Sequence, residues 1–254
     1  MKRLILACFC ILVFPAIVSA ASYKEGITNI SQYYQSQGYW IEDYFVCDDT
    51  GQEIGGGSFT GWYNEEGWIG DPFNFSMTST LGLVTVEDHH DIFSYRHFAI
   101  AQPGSAKDPL QLPDGTYMIP GNSYLDDNSS ASWSFRPLYN SLSISLNALD
   151  YGPGSDMADS ITLIDYTTST CMMSITNNIA GGGLMFNNYD QPFTFDVNPT
   201  HDYVFSIEST GHYYDSWGSN FSVDVKIISS PEPGTMLLLG LGLIGLAGAR
   251  RFNK

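Results

Sequence analysis

The densest run of ionisable side chains is Glu87-Asp88-His89-His90-Asp91, with His97 six residues further on. Imidazoles and carboxylates together can ligate a transition metal, and carboxylates alone suit calcium. The spacing matches no standard metal site: there is no His-Glu-x-x-His, and in an extended chain the adjacent His89 and His90 point to opposite faces. A solvated loop between Val86 and Ile92 is therefore expected. Calcium has better candidates in composition. Asp48-Asp49-Thr50-Gly51, Leu125-Asp126-Asp127-Asn128 and residues 150–159 are acidic stretches that offer hard oxygen ligands. None reproduces EF-hand spacing, and Asp and Asn are also ordinary turn residues. Asp48, Asp49, Asp126 and Asp127 are the calcium candidates, and no other cofactor is expected.

Aromatic residues suggest a second kind of chemistry. Five tryptophans and sixteen tyrosines supply flat apolar faces beside hydrogen-bonding Asn, Asp and Gln, a mixture suited to sugar rings. Trp62, Tyr63, Trp68, Tyr213, Tyr214 and Trp217 lie in turn-rich stretches, and Trp62, Trp68 and Trp217 are the candidate glycan contacts. Core and cross-strand packing should account for most of the other aromatics. Catalysis has weaker support. Among so many acids, some pair will sit at glycosidase separation by chance, so a carboxylate pair has no diagnostic value without geometry. There is no Gly-x-Ser-x-Gly elbow for a serine hydrolase. Nothing beside Cys47 or Cys171 identifies a base that would activate a thiolate. The chain reads as a non-enzyme, with a secreted glycoside hydrolase the third alternative after an adhesive body and a calcium-assisted carbohydrate-binding module.

The elements that would position these residues are strands. Segments 58–63, 73–78, 92–100, 131–135, 142–146, 161–166, 193–197, 203–207 and 221–227 are short and rich in aromatic and β-branched residues. Leu142-Ser143-Ile144-Ser145-Leu146 and Phe193-Thr194-Phe195-Asp196-Val197 alternate as half-buried antiparallel strands do. Between the segments lie the turn clusters Gly55-Gly56-Gly57, Pro103-Gly104, Asp114-Gly115, Gly152-Pro153-Gly154 and Gly181-Gly182-Gly183. Ile27 to Gln37 is the one stretch with a helical look. The pattern predicts an all-β, jelly-roll-like antiparallel β-sandwich.

Both ends of the chain are export features. Met1-Lys2-Arg3, the apolar stretch Leu4 to Val18 and the small residues Val18-Ser19-Ala20 read as a signal peptide over residues 1–20. Residues 21–229 are then the sandwich ectodomain, with five basic residues against 26 acids. Such a field repels nucleic-acid phosphates and anionic lipids, so no nucleic-acid partner is expected. Cys47 and Cys171 are the two cysteines of this body. In an oxidising compartment they can form one disulfide, and the lack of CxxC spacing argues against zinc or redox work.

Residues 230–254 carry Pro231-Glu232-Pro233-Gly234, an uncharged run from Met236 to Ala249, and then Arg250-Arg251. The prolines hold an open segment that displays Glu232. The run of 14 residues reaches about 21 Å as a helix, short of roughly 30 Å of hydrocarbon, so spanning needs snorkelling arginines and local thinning. Basic residues after the run place that end in the cytoplasm and the body outside. A plain stop-transfer anchor would share these features. Taken together, motif, apolar run and basic cluster resemble the PEP-CTERM sorting signal. That resemblance implies an exported protein that passes the Sec translocon and is held in the inner membrane at least transiently by a C-terminal transmembrane helix. An exosortase would then process it near Pro231-Glu232-Pro233 for delivery to the outer surface or an exopolysaccharide matrix.

Overall fold

The computed structural model describes residues 24–68, 73–151, 156–178, 185–215, 217–231 and 238–242. Its strands are β1 (Lys24–Glu25), β2 (Ile27–Cys47), β3 (Glu53–Trp68), β4 (Phe73–Thr78), β5 (Val84–Asp91), β6 (Ser94–Ala101), β7 (Leu110–Gln111), β8 (Tyr117–Pro137), β9 (Ser141–Tyr151), β10 (Asp156–Asp165), β11 (Thr170–Asn178), β12 (Met185–Asp196), β13 (Tyr203–Tyr214) and β14 (Trp217–Ser230). Among the described residues they form two seven-stranded sheets. The first has the order β12-β9-β14-β6-β5-β4, with β1 beside β14; the second has the order β11-β10-β13-β8-β2-β3, with β7 beside β8. Every pairing is antiparallel except that of β1 with β14. The predicted β-sandwich is the observed architecture.

The two sheets close over two apolar clusters. One joins Tyr34, Trp133, Phe135, Ile144, Phe205, Val223 and Ile227 with their neighbours. The other joins Trp40, Tyr63, Val84, Val86, Ala99, Leu125 and Tyr213. Full burial of side chains this large stabilises by about 1.5–3 kcal/mol each, which is the main force holding the sheets face to face.

All nine segments read as strands lie wholly or largely in strands, but the boundaries and the gaps between them differ from expectation. The stretch 27–37 is not helical: it opens the 21-residue β2. Polar residues at inward positions disguised its period of two. Gln32 is buried, and its side-chain oxygen accepts the Trp133 indole N–H at 3.1 Å and the Tyr34 hydroxyl. Gly55-Gly56-Gly57 is part of the edge strand β3, where it pairs with Val46, Phe45 and Tyr44, and is not a turn. The segment expected to begin at Ile92 begins at Ser94, because Ile92 and Phe93 make the β5–β6 connection. Phe93 adopts φ 58°, which strains a bulky residue, and its burial against Trp133 and Phe135 offsets that strain.

One buried carboxylate ties the sheets together. Glu42 of β2 has no exposed surface, and it accepts the backbone N–H groups of Leu81 and Leu83, each at 2.7 Å, and the Ser79 hydroxyl. Three donors compensate the lost hydration, so the β4–β5 connection of the first sheet is fastened to a strand of the second.

Candidate functional site

Between the two apolar clusters the inward positions turn polar on β2, β5, β6, β8 and β13. On β8, Asp127 and Ser129 separate Leu125 from Ala131; on β6, His97 separates Tyr95 from Ala99; on β5, Asp88 and His90 follow Val84 and Val86. Strand register lines these residues up across the sheets. Ser36, Ser129, Ser209 and Asp159 are cross-strand partners in turn on the second sheet, and Asp88 pairs with His97 on the first.

The centre of this belt is an ion triad with no side-chain exposure. His97 Nδ1 lies 2.9 Å from Asp88 Oδ1, and Nε2 lies 2.8 Å from Asp127 Oδ2. The Ser129 hydroxyl donates to Asp88 Oδ1 at 2.7 Å, and the Tyr63 hydroxyl donates to Asp127 Oδ1. Burial disfavours the imidazolium, but the Asp127 and Asp88 carboxylates beside it hold His97 protonated well above the ordinary histidine range. Burial likewise opposes ionisation of Asp88, yet the His97 charge and hydrogen bond keep its carboxyl below the usual range. His90 behaves oppositely: burial pushes it down to about 4, with the more distant Asp88, 3.7 Å away, opposing that shift. It is therefore neutral, and it stacks on Phe73 and Tyr95. Tyr63 is pushed far up, first by burial and then by Asp127, and remains a hydroxyl donor. The triad is sealed from substrate, so its chemistry is structural: one buried cation locks both sheets in register through two carboxylates.

Exposed chemistry lies on the outer face of the second sheet. Ser31, Tyr33, Gln35, Gln37, Tyr39 and Ile41 point outward from β2. Their partners on β3 include Trp68, Glu66, Asn64, Trp62 and Thr60, and those on β8 include Ser134, Ser132, Ser130, Asn128, Asp126 and Tyr124. Trp62 is 80% exposed and Trp68 76%. Each indole leans on a tyrosine of β2: Trp62 on Tyr39 with centroids 4.4 Å apart, Trp68 on Tyr33 at 5.2 Å. Tyr33 is itself fixed by a 2.7 Å hydrogen bond to Glu66. Shallow depressions follow β2 among the described residues. One of about 400 Å³ adjoins Trp68, Ser132 and Ser134; one of about 390 Å³ adjoins Trp62, Tyr39, Gln37 and Asn128; one of about 560 Å³ adjoins Tyr124, Tyr214 and Ile41. The face offers flat rings set among hydroxyl and amide groups.

Several sequence expectations are corrected by these positions. Residues 87–91 are not a solvated loop: they lie in β5, with Glu87 and His89 outward and Asp88 and His90 buried. Asp126 and Asp127 are not loop residues either. Both lie within β8, where Asp127 serves the triad and Asp126 pairs with His212 at 3.2 Å on the outer face. Asp48 is in the β2–β3 turn as expected, its carboxylate engaged by the N–H and hydroxyl of Thr50 and the N–H of Gln52; Asp49 is exposed beside it. Among the described residues no group of three or more His, Cys, Asp or Glu is placed to hold a metal ion. Cys47 and Cys171 do not pair. Both are free thiols, on β2 and β11 of one sheet. Four strand spacings of about 4.8 Å put roughly 19 Å between them.

The aromatic candidates divide by face. Trp62 and Trp68 lie in a strand, not in turns, and are exposed, whereas Tyr63 and Tyr213 are buried and Tyr214 is exposed. The backbone of Trp217 opens β14 opposite Ala101. The triad itself was missed, although a period of two already placed Asp88 with Val86 and His97 with Tyr95 and Ala99. Pro231 directly follows β14. Glu232, Pro233, Gly234, Arg250, Arg251 and the signal peptide lie outside the described residues. Of the apolar run, residues 238–242 are described and helical, with Leu238, Leu239 and Leu241 exposed. Among the described residues no helix is long and apolar enough to cross a membrane.

Residues 231–251 match the family description "PEP-CTERM protein-sorting motif". The chain carries that sorting motif immediately after the last strand of the sandwich. No curated protein matches the chain.

Proposed function

We propose that this chain, which carries a PEP-CTERM sorting motif, is an exported exosortase substrate of the cell surface or exopolysaccharide matrix, with a non-catalytic, adhesive β-sandwich body. The observation that carries the reading is the motif at residues 231–251 abutting a two-sheet sandwich body. A sorting tail joined directly to β14 presents the sandwich as the delivered cargo. Adhesion is supported by the outer face of the second sheet, where two tryptophans are left in water at the cost of their hydration. Export is supported further by the surplus of acids on the body, which favours solubility and keeps phosphate polymers away. The body needs no resident cofactor for this role.

The test is to delete the chain from its host and fractionate the complemented cells. Recovery of the protein in the surface or matrix fraction, with weaker attachment or matrix cohesion in the deletion strain, is the expected result. Retention of all the protein in the inner membrane, with attachment unchanged by deletion, would refute it.

A further inference from the structure

We propose that the outer face of the second sheet is a trough for one extended, uncharged polysaccharide chain, with the indoles of Trp62 and Trp68 as two separate stacking platforms. This deepens the adhesive reading above and rests on it. Trp62 and Trp68 are six residues apart on the same face of β3, a separation of about 20 Å at roughly 3.3 Å per residue. A mono- or disaccharide cannot reach both platforms, whereas a polymer running along the strands can. The depressions extend the same line, from Ser31 on β2 past Tyr39 to Asp43, twelve residues or about 40 Å.

Pyranose chemistry fits this surface. The C–H face of a sugar ring is apolar and covers an indole, while its rim of hydroxyls needs donors and acceptors. Gln37, Asn128, Ser132 and Ser134 provide these beside the two rings. The platforms are also preorganised: Tyr39 and Tyr33 pack against the indoles, so less side-chain freedom is lost on binding. Packing does not explain the exposure, because the alternate residues Gly61 and Tyr63 already serve the core side of β3.

Charge selects the class of polymer. Asp43, Glu66 and Asp126 lie along the trough, while Arg136 near its end is held by Asp202 in a two-bond pair of 2.9 Å contacts. A uronate or sulfate polymer would meet like charge there, and the Arg136 guanidinium is already engaged by Asp202. A second copy of the chain would bring another acidic face against this one.

The full chain, purified in a non-glycoside detergent, is tested by affinity electrophoresis. Gels carry a soluble β-1,4-glucan, a β-1,3-glucan, galactomannan, xylan or polygalacturonate. At least one neutral polymer is expected to retard the protein. Trp62→Ala and Trp68→Ala should each weaken binding roughly tenfold, and the double variant roughly a hundredfold. A disaccharide of the retarding polymer should bind at least tenfold more weakly than the polymer. Both residues are exposed, so the variants should melt within a few degrees of the parent.

The proposal is overturned if no neutral polymer retards the protein, if polygalacturonate retards it most, or if the double variant binds as the parent does. It is also overturned if sedimentation shows a dimer that both tryptophan substitutions dissociate, which would make this face a self-interface. Cells carrying the double variant separate this inference from the adhesive reading. Attachment retained without glycan binding removes the trough and leaves adhesion standing; attachment lost together with glycan binding supports both.

Discussion

Replacing His97 with leucine removes the cation that bridges two carboxylates with no exposed surface. Asp88 would keep the Ser129 hydroxyl and Asp127 the Tyr63 hydroxyl, but two negative charges would face each other in the sandwich centre. Removing one partner of a buried pair costs about 3–5 kcal/mol, and two partners are orphaned here, so the upper part of that range applies. Against a typical domain stability of about 5–15 kcal/mol this is a third or more of the total. With a urea slope of about 2–3 kcal/mol/M, the midpoint at pH 7 should fall by about 1.3–2.5 M without a change of slope. Acid should relieve the variant, because orphaned buried carboxylates take up protons more readily and their cost disappears once neutral. Adding Asp88→Asn and Asp127→Asn should restore most of the loss. In the parent, a histidine held above its ordinary value contributes fully below about pH 6.5, and the contribution fades as pH rises through the folded value. A loss below about 1 kcal/mol at pH 7, or a deficit that grows in acid, would refute this electrostatic account.

Two further substitutions probe the same belt. His90→Phe keeps the stack on Phe73 and Tyr95 but removes a histidine held down to about 4, whose contribution is present above pH 6.5 and lost as pH falls toward 4. The variant's melting temperature should therefore decline less between pH 6.5 and 4 than the parent's; parallel curves would contradict the assignment. Gly38→Ala would place a Cβ 2.3 Å from the Tyr63 hydroxyl oxygen and 2.5 Å from the Asp126 carbonyl oxygen, forcing Tyr63 off Asp127. A loss of about 2–3 kcal/mol in urea melts is expected, and a neutral effect would show that the ring has room to move.

The strands of the sandwich were legible where one face alternates apolar and polar, as Leu142 to Leu146 does. Legibility failed where the buried face is itself polar. Gln32 on β2, and Asp88 and His90 on β5, occupy core positions with hydrogen-bonded or ionic partners on other strands, and no local pattern reveals partners 40 or 100 residues away. That long-range satisfaction turned one strand into an apparent helix and another into a solvated loop. Trp62 and Trp68 were singled out as candidate glycan contacts on the expectation that they lie in turn-rich stretches. They are outward residues of an edge strand, not turn residues. The tail was the most legible part, since its order of motif, apolar run and basic cluster is carried by local composition and needs no partner.

The most direct test of the central claim is the intact mass of the exported protein from its native host, compared with Glu232→Ala. The expected result is a chain shortened at its C-terminus near Pro231-Glu232-Pro233 and found at the surface, with the substituted chain retaining Lys254 and staying in the inner membrane. If both proteins retain Lys254 in the inner membrane, the tail is an ordinary anchor and the sorting account is wrong.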